Sequence, residues 1–371
     1  MNTKKIVKFR AKIAFVVLTI FFLFPQIQAD REKIDKKTAL ENLERFNTRI
    51  YRCIDGKLIT ENPTEEEFQR EKKLRKKNIK FHIIPSTNPQ DSITGLRILL
   101  RATDQLLNHP EALMAFRRGA ARWEKVIMDK GTLIINVDYG INRLGEVFPD
   151  RVLGSSYTAT HLPDYDDGTP YSVDDILTAI KNRHLDDMQL QELYAAIPGK
   201  VPTTARDFEG NNVVTAYLQT PICSDLHSQI LGFSPVIEDI DTSAINETRI
   251  STICFNSVFQ YDFDPSDGTD PDKYDFDALV THEIGHNLGF LTVARQYLGG
   301  PPFNFYYPWD LFRVRPEDVE NDGLEGFKTA ERIVTEGPVS TDTIAVEEDV
   351  VYLKATHVFY DGIEMRELSS G

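Results

Sequence analysis

Residues 282–290 read HEIGHNLGF, and the rest of the chain is organised around this stretch. Side chains four residues apart project from the same face of an α-helix, so His282 and His286 can hold one metal ion between them. Glu283 lies beside them, where it can take a proton from a metal-bound water. Gly289 can adopt the left-handed conformation that ends a helix. The pattern predicts a zinc-binding helix with Glu283 as the general base.

The amino terminus has the pattern of a secretory signal peptide. An apolar run at 13–24 follows a basic segment, and Ala29 offers a small residue at the cleavage position. The apolar run is shorter than a transmembrane helix requires. We therefore expect residues 1–29 to be removed and the protein to be secreted, extracellular or periplasmic; an uncleaved membrane anchor is the alternative. The basic residues are Lys4, Lys5, Lys8, Arg10 and Lys12.

The charge of the chain restricts its partners. Cleavage after Ala29 would remove five positive and no negative charges, changing the formal net charge from −15 to −20. A strongly acidic protein is repelled by phosphate backbones and by anionic membrane surfaces. We therefore expect no nucleic acid and, after signal cleavage, no membrane among its partners.

Composition and periodicity predict an α+β domain that follows a charged lead-in. Residues 30–78 carry many charges and few large apolar side chains, which indicates a lead-in or pro-segment rather than core. The main domain is predicted over 79–371, with a helical insertion at about 160–200 and a C-terminal subdomain from about 291. Its predicted strands are 80–85, 132–140, 152–157, 213–219 and 252–264, and its predicted helices are 111–128, 172–196 and 276–287.

An acidic loop precedes the predicted metal-binding helix. Oxygen ligands at this density suit calcium, and Gly268 allows a sharp turn, so calcium is the second cofactor that the sequence suggests. A solvated loop in which Asp275 or Asp277 caps the helix is the alternative. The aspartates of the loop are Asp262, Asp264, Asp267, Asp270, Asp272, Asp275 and Asp277.

With these segments in order, the chain resembles the metzincin clan of zinc metalloproteases. The resemblance rests on AFRRGAARWEKV (115–126), an LGSS segment (153–156) and FDALVTHEIGHNLGF (276–290), and it covers about 80–300. It implies a twisted five-stranded sheet with two long helices, the second carrying HExxH, and zinc at the floor of a cleft. It also implies an endopeptidase whose substrate strand binds antiparallel to an edge strand of the sheet.

The third zinc ligand departs from the clan's pattern. The clan's extended motif places a third histidine three residues after the glycine, where this chain has Thr292, a poor zinc ligand. Leishmanolysin-like members insert a long segment before that histidine, and His357 is the one histidine after His286. His357 is therefore the candidate ligand. Asp310 and a residue beyond Gly371, in a chain truncated there, are the alternatives.

A β-hairpin is an alternative context for His357. The segment HVFYDGIEMREL is typical of a hairpin turned at Asp361-Gly362. His357 would then be an ordinary strand residue, as would Met365, the candidate for the clan's methionine turn. The other histidines are isolated and are predicted to be structural or at the surface: His82, His109, His161, His184 and His227.

Three cysteines are too few for a disulfide scaffold. Cys223 and Cys254 could pair in an oxidising compartment, which would leave Cys53 alone. Some metzincins are kept latent by a pro-segment cysteine bound to zinc. Cys53 lies in the lead-in, but its surroundings do not match that motif, and a free thiol is the alternative.

Two functions follow from these observations. The first is a secreted zinc-dependent endopeptidase with a protein or peptide substrate, in which His282, His286 and candidate His357 bind zinc and Glu283 is the base. The second is a catalytically inactive secreted module that keeps the fold and its metal. The intact Glu283 favours the enzyme, because a structural zinc site needs no base and usually has four protein ligands.

Overall fold

The segment GTLIINVDYG at 131–140 forms a strand in which all ten residues are buried. Its β-branched and long aliphatic side chains favour a pleated surface covered on both faces. This strand lies inside a mixed sheet of seven strands, counted over the part of the chain that the structure describes. Helices and a mixed sheet together make the fold α+β, as predicted.

The structure is a computed structural model, and the chain in it divides into two units, 1–45 and 46–371. Within the first unit, residues 41 and 43–45 are helical. The predicted signal peptide lies outside the described residues. The structure describes residues 41, 43–45, 47–54, 57–85, 95–161, 171–183, 186–206, 212–217, 220–238, 246–264, 266–291, 305–314, 316–319, 322–333, 358–360 and 365–367.

The elements of the second unit are numbered in chain order. The strands are β1 Thr48–Ile54, β2 Lys57–Glu61, β3 Phe81–Pro85, β4 Leu96–Thr103, β5 Gly131–Gly140, β6 Asn142–Arg143, β7 Glu146–Val147, β8 Val152–Tyr157, β9 Thr160–His161, β10 Pro202–Arg206, β11 Asn212–Tyr217, β12 Thr220–Pro221, β13 Cys223–Ser224, β14 Ser251–Asn256, β15 Tyr261–Asp262, β16 Tyr274–Asp275, β17 Phe305–Tyr306, β18 Arg332–Ile333, β19 Val358–Tyr360 and β20 Met365–Glu367. The α-helices are α1 Glu65–Arg75, α2 Asp104–Leu107, α3 Pro110–Val126, α4 Val173–Lys181, α5 Met188–Ala196, α6 Asp225–Ile230, α7 Phe276–Leu288, α8 Pro316–Val319 and α9 Gly323–Thr329, and 3₁₀ turns cover Glu247–Arg249 and Pro308–Phe312.

The main sheet has the strand order β2-β1-β8-β14-β5-β4-β3. Strands β4, β5 and β14 are parallel to one another, whereas β3, β8, β1 and β2 each run antiparallel to the strand they join. The resemblance implied five strands. The described sheet is wider because β1 and β2 extend it beyond β8.

Most of the predicted elements are confirmed within about two residues. The helix predicted at 111–128 is α3, and the strand predicted at 152–157 is β8. The helix predicted at 172–196 is instead two helices, α4 and α5, because the described residues between Lys181 and Met188 are not helical. The single strand predicted at 252–264 is wrong. It breaks after Asn256, whose side-chain oxygen accepts a hydrogen bond from the Val258 amide at 3.1 Å and so turns the chain.

Helices α3 and α7 pack closely against each other because glycines lie at their contact. A Cβ on Gly119 of α3 would lie 2.9 Å from Val280, and a Cβ on Gly285 of α7 would lie 3.1 Å from the Trp123 ring. The Trp123 indole donates a hydrogen bond of 2.9 Å to the Thr281 carbonyl. The apolar faces of both helices join the main hydrophobic core on the sheet. This contact fixes α7 relative to the strands.

The expectation that the lead-in lacks core residues is wrong for the part that the structure describes as β1, β2 and α1. Ile50, Tyr51, Phe68 and Leu74 are all at most 3% exposed. Helix α1 begins with a capping box at Thr64, which explains its position in a charged sequence. Most charged residues of α1 are more exposed than Phe68 and Leu74, although Glu71 is buried. The average composition of the segment therefore did not reveal its apolar side chains.

A second hydrophobic cluster lies apart from the sheet. It combines the inward faces of α4 and α5 with residues near α9, including Tyr306, Leu311 and Phe327. Across the described ranges, no helix has both the length and the apolar character needed to cross a membrane.

Candidate metal centre

Helix α7 carries the predicted metal-binding residues, and both of its ends are fixed by side chains or backbone conformation. Asp275 caps its start by accepting a hydrogen bond of 2.9 Å from the Ala278 amide, which confirms one of the two predicted caps. The helix ends at Gly289, which has a φ of 110° in the left-handed region, as predicted. Asp277, in the first turn, is buried and paired with Arg118 and Arg122 of α3.

His282 and His286 direct the same ring nitrogen toward a common point. Their Nε2 atoms are 3.0 Å apart. The Nδ1 atom of His286 lies 3.0 Å from the Phe290 carbonyl oxygen. A carbonyl only accepts hydrogen bonds, so Nδ1 carries the hydrogen and the Nε2 lone pair of His286 is left to bind a metal. The left-handed turn at Gly289 brings the Phe290 carbonyl back to the histidine.

Glu283 is buried between the helix and the sheet. It is 1% exposed, and its carboxylate accepts a short hydrogen bond from the Tyr51 hydroxyl of β1. Because that hydroxyl has one hydrogen, the Ser156 hydroxyl of β8 must donate to the phenol oxygen across 2.7 Å. Burial, with the nearby Glu283 charge, raises the pKa of Tyr51 well above its usual value. Tyr51 therefore stays protonated and donating at neutral pH.

His282 lies at the solvent side of the site. Its side chain is exposed, yet desolvation by the protein around the ring lowers its pKa, and the charge of Arg49 on β1 lowers it further. The Glu283 carboxylate acts in the opposite direction. Both effects that lower the pKa keep the imidazole neutral, which is the form that binds metals.

The structure brings together three of the predicted site residues. Ligand atoms of His282, Glu283 and His286 lie within 4.8 Å of one another, the one such group among the described residues. Asp310 does not join them. Its buried carboxylate accepts hydrogen bonds from the Tyr307 amide at 2.9 Å and from Arg313 at 3.0 Å, within the second hydrophobic cluster.

The residues predicted near the end of the chain are described in part. His357 and Thr292 lie outside the described residues, so the third ligand stays a prediction. Strands β19 and β20 form an antiparallel pair, which confirms the hairpin. Its register pairs Tyr360 with Met365, so four residues separate the strands instead of the two of an Asp-Gly turn.

Several carboxylates of the acidic loop are engaged by groups of the loop itself. Asp262 accepts hydrogen bonds from the amides of Asp264 and Asp270 at 2.9 and 2.7 Å, and Lys273 pairs with Asp270 at 2.5 Å. These bonds lower the pKa of Asp262. Over the described part of the loop, the carboxylates form no metal-binding group. The cap that Asp275 forms fits the helix-capping alternative, and calcium stays a prediction.

All three cysteines are free thiols. Cys223 and Cys254, which the sequence allowed to pair, lie in different hydrophobic clusters. Burial raises the pKa of Cys223 to about 12 and that of Cys254 well above its usual value. Cys53 accepts a hydrogen bond of 3.2 Å from the Tyr274 hydroxyl and is not part of the histidine group.

Of the other histidines, four are described, and none joins the metal group. His82 contacts Asp104 at 2.6 Å. His109 is the residue before the first turn of α3, and its ring contacts the edge or face of the Tyr139 ring. His161 lies on β9 and His227 lies beneath Gly289, while His184 is outside the described residues. The prediction that they are structural or at the surface is confirmed for the described four.

Tyr51, Ser156 and Arg118 are site residues that the sequence analysis missed. The segment TRIYRCI, at 48–54, is rich in β-branched residues around Tyr51, which is a strand signal. Nothing in the spacing shows that this strand pairs with β8, about 100 residues later. Comparisons of the chain with known protein families, with curated proteins and with solved structures find no match.

Proposed function

We propose that this protein is a zinc-dependent peptidase. The observation that carries the proposal is the convergence of two histidine Nε2 atoms, 3.0 Å apart, beside the buried carboxylate of Glu283. The resemblance of 276–290 to the metzincin motif supports it. So does the packing of two long helices, α3 and α7, on one mixed sheet. The signal-peptide pattern supports action outside the cytoplasm.

The donor set fits zinc. Two nitrogens bound to one tetrahedral zinc at about 2.1 Å lie roughly 3.4 Å apart, and the Nε2 atoms of His282 and His286 are 3.0 Å apart. The hydrogen bond from His286 to the Phe290 carbonyl fixes its ring and its tautomer, an arrangement common among zinc-binding histidines. His282 and His286 would hold the ion, with His357 as the candidate third ligand. When bound, zinc lowers the pKa of a coordinated water toward neutrality and polarises a peptide carbonyl.

Glu283 supplies the acid–base chemistry. Its carboxylate lies beside both histidines on the same helix, so it can take a proton from the attacking water and deliver it to the leaving amine. Its burial excludes bulk water, so the proton it holds passes to the substrate. The peptide hydrolysed would contact the same surface of α7 from which the histidines project.

Glu283→Gln tests the proposed chemistry. We expect this variant to bind zinc as the unchanged chain does, because the amide is nearly isosteric and both histidines remain. Hydrolysis of an unfolded protein substrate should fall by a factor of about 100 or more, since proton transfer by a positioned carboxylate contributes about that much. The measurement is peptide-bond cleavage with and without a zinc chelator.

The matched control is Glu247→Gln, which alters a carboxylate that pairs with Arg101 of β4 and is not part of the metal-binding group. It should cleave as the unchanged chain does. Equal cleavage by Glu283→Gln and the unchanged chain, with zinc bound in both, would contradict the role of Glu283.

A further inference from the structure

Strand β1 pairs with one edge of β8. On its other side, β8 pairs with β14. The β1–β8 register is antiparallel and places Arg49 opposite Ser156 and Tyr51 opposite Gly154. An unpaired strand edge presents amide and carbonyl groups that can bind an extended peptide. Here those groups of β8 are already paired by the chain itself.

One side chain of β1 reaches the metal centre. The Tyr51 hydroxyl donates a hydrogen bond to the Glu283 carboxylate. Arg49 lies two residues before Tyr51 on the strand and so faces the same side of the sheet. An extended peptide lying in this position would present alternate side chains to the same residues. β1 therefore has both the backbone pairing and the side-chain contacts of a bound peptide.

We propose that residues 47–75 are an intramolecular inhibitor and that β1 fills the position of a peptide substrate against β8. This inference rests on the proposed peptidase function. While β1 is in place, no second strand can pair with that edge of β8. One Glu283 oxygen is also engaged by the phenol and cannot accept a proton from water there. Peptide hydrolysis would require β1 to leave.

The inhibitor segment is held by contacts away from the metal centre. Ile50 and Leu74 pack in a cluster with Val152 and Phe148, on the face of the sheet opposite Tyr51. Glu71 of α1 forms a buried ion pair with Arg143. Contacts of this kind can be weakened without altering any residue of the metal centre, which makes the proposal testable.

Leu74→Ala is the primary test, and Leu193→Ala is its matched control. Both leucines are buried on helices, but Leu193 belongs to the second cluster, away from β1. The probe is a labelled synthetic peptide with the sequence of β1, in which serine replaces Cys53. We expect this peptide to bind Leu74→Ala about tenfold more tightly than it binds the unchanged chain or Leu193→Ala, because removing a buried leucine favours detachment of β1. Peptide-bond cleavage should rise by a similar factor in Leu74→Ala alone.

Hydrogen exchange of the β5 amides shows whether each variant keeps its fold. Equal peptide binding by all three proteins, with β5 protected, would overturn the inference. So would a fall in cleavage by a folded Leu74→Ala.

If Leu74→Ala does not fold, Tyr51→Phe tests whether β1 inhibits the metal centre. It keeps the ring in the core and removes the hydroxyl that contacts Glu283. We expect cleavage to rise about tenfold, since a hydrogen bond to a charged group is lost from the closed form only. If Tyr51 instead positioned Glu283 for catalysis, cleavage would fall, and that result would overturn the inference.

The two proposals can fail separately. If no variant cleaves peptide bonds but the labelled peptide binds Leu74→Ala selectively, the proposed function is wrong and β1 is still shown to occupy the β8 edge. If cleavage depends on Glu283 but neither variant binds the labelled peptide or cleaves faster than the unchanged chain, β1 is a permanent strand of the sheet.

Discussion

The imidazole of His227 lies beneath Gly289, so close that a Cβ at position 289 would overlap its ring. Desolvation lowers the pKa of His227 to about 4, and its Nδ1 atom makes no hydrogen bond. The ring therefore stays neutral at physiological pH. The turn at Gly289 also positions the Phe290 carbonyl, which orients the His286 ring. Protonation of His227 would therefore place a charge against the turn that holds this metal ligand in position.

The low pKa of His227 predicts a pH dependence of stability. In the unfolded chain a histidine has a pKa of about 6.5, so between pH 6.5 and 4 the unfolded state binds the proton first and folding is weakened as the pH falls. The loss for a shift of this size is at most about 3 kcal/mol. Denaturant unfolding of the metal-free chain should show this loss, and His227→Gln should lose less over the same range. Parallel curves for the two proteins would contradict the assignment.

At the scale of elements, the contact between α3 and α7 sets the position of the zinc ligands. The Asp277 carboxylate, 2% exposed, lies 2.5 Å from the Arg118 guanidinium and 2.9 Å from that of Arg122. This pairing raises the pKa of Arg118. The pairs join the first turn of the metal-binding helix to α3, while Gly119 and Gly285 let the helices approach closely.

Asp277→Asn should therefore cost more stability than a similar change at the surface. Removing the buried charge leaves two arginines that are partly solvated, so we expect a loss of about 2 kcal/mol in the free energy of unfolding. Asp270→Asn, which breaks the exposed pair with Lys273, should cost less than about 1 kcal/mol. Denaturant unfolding measures both. Equal losses would show that the α3–α7 pairs contribute no more than surface ones.

Local signals in the sequence predicted several helices and strands. They could not predict which strands pair with each other when those strands are far apart in the chain. The cap at Asp275, the turn at Gly289 and the apolar spacing of α3 each act within a few residues, so helix bounds followed from the sequence. Pairing of β1 with β8 depends on a contact between segments about 100 residues apart, and no spacing rule encodes it. The prediction for 30–78 was based on average charge, so it also overlooked the buried positions of Ile50 and Tyr51.

For the whole molecule, the described ranges place the metal-binding helix, the sheet and the β1 strand in one arrangement around Glu283. The third ligand stays a prediction, because His357 lies outside those ranges. A zinc titration of His357→Ala would assign it if zinc affinity fell as much as in His286→Ala. A small change would direct attention to another ligand.

Zinc affinity is the most direct test of the central claim that His282 and His286 hold the metal. A competition titration with a chromophoric chelator should be run on the unchanged chain, His286→Ala and His82→Ala. His82 is a matched control, since it is a histidine that contacts Asp104 and is not part of the histidine group. We predict about one zinc per chain for the unchanged protein and His82→Ala, with affinity at least about tenfold lower in His286→Ala. Equal affinity in His286→Ala and the unchanged chain would contradict the account.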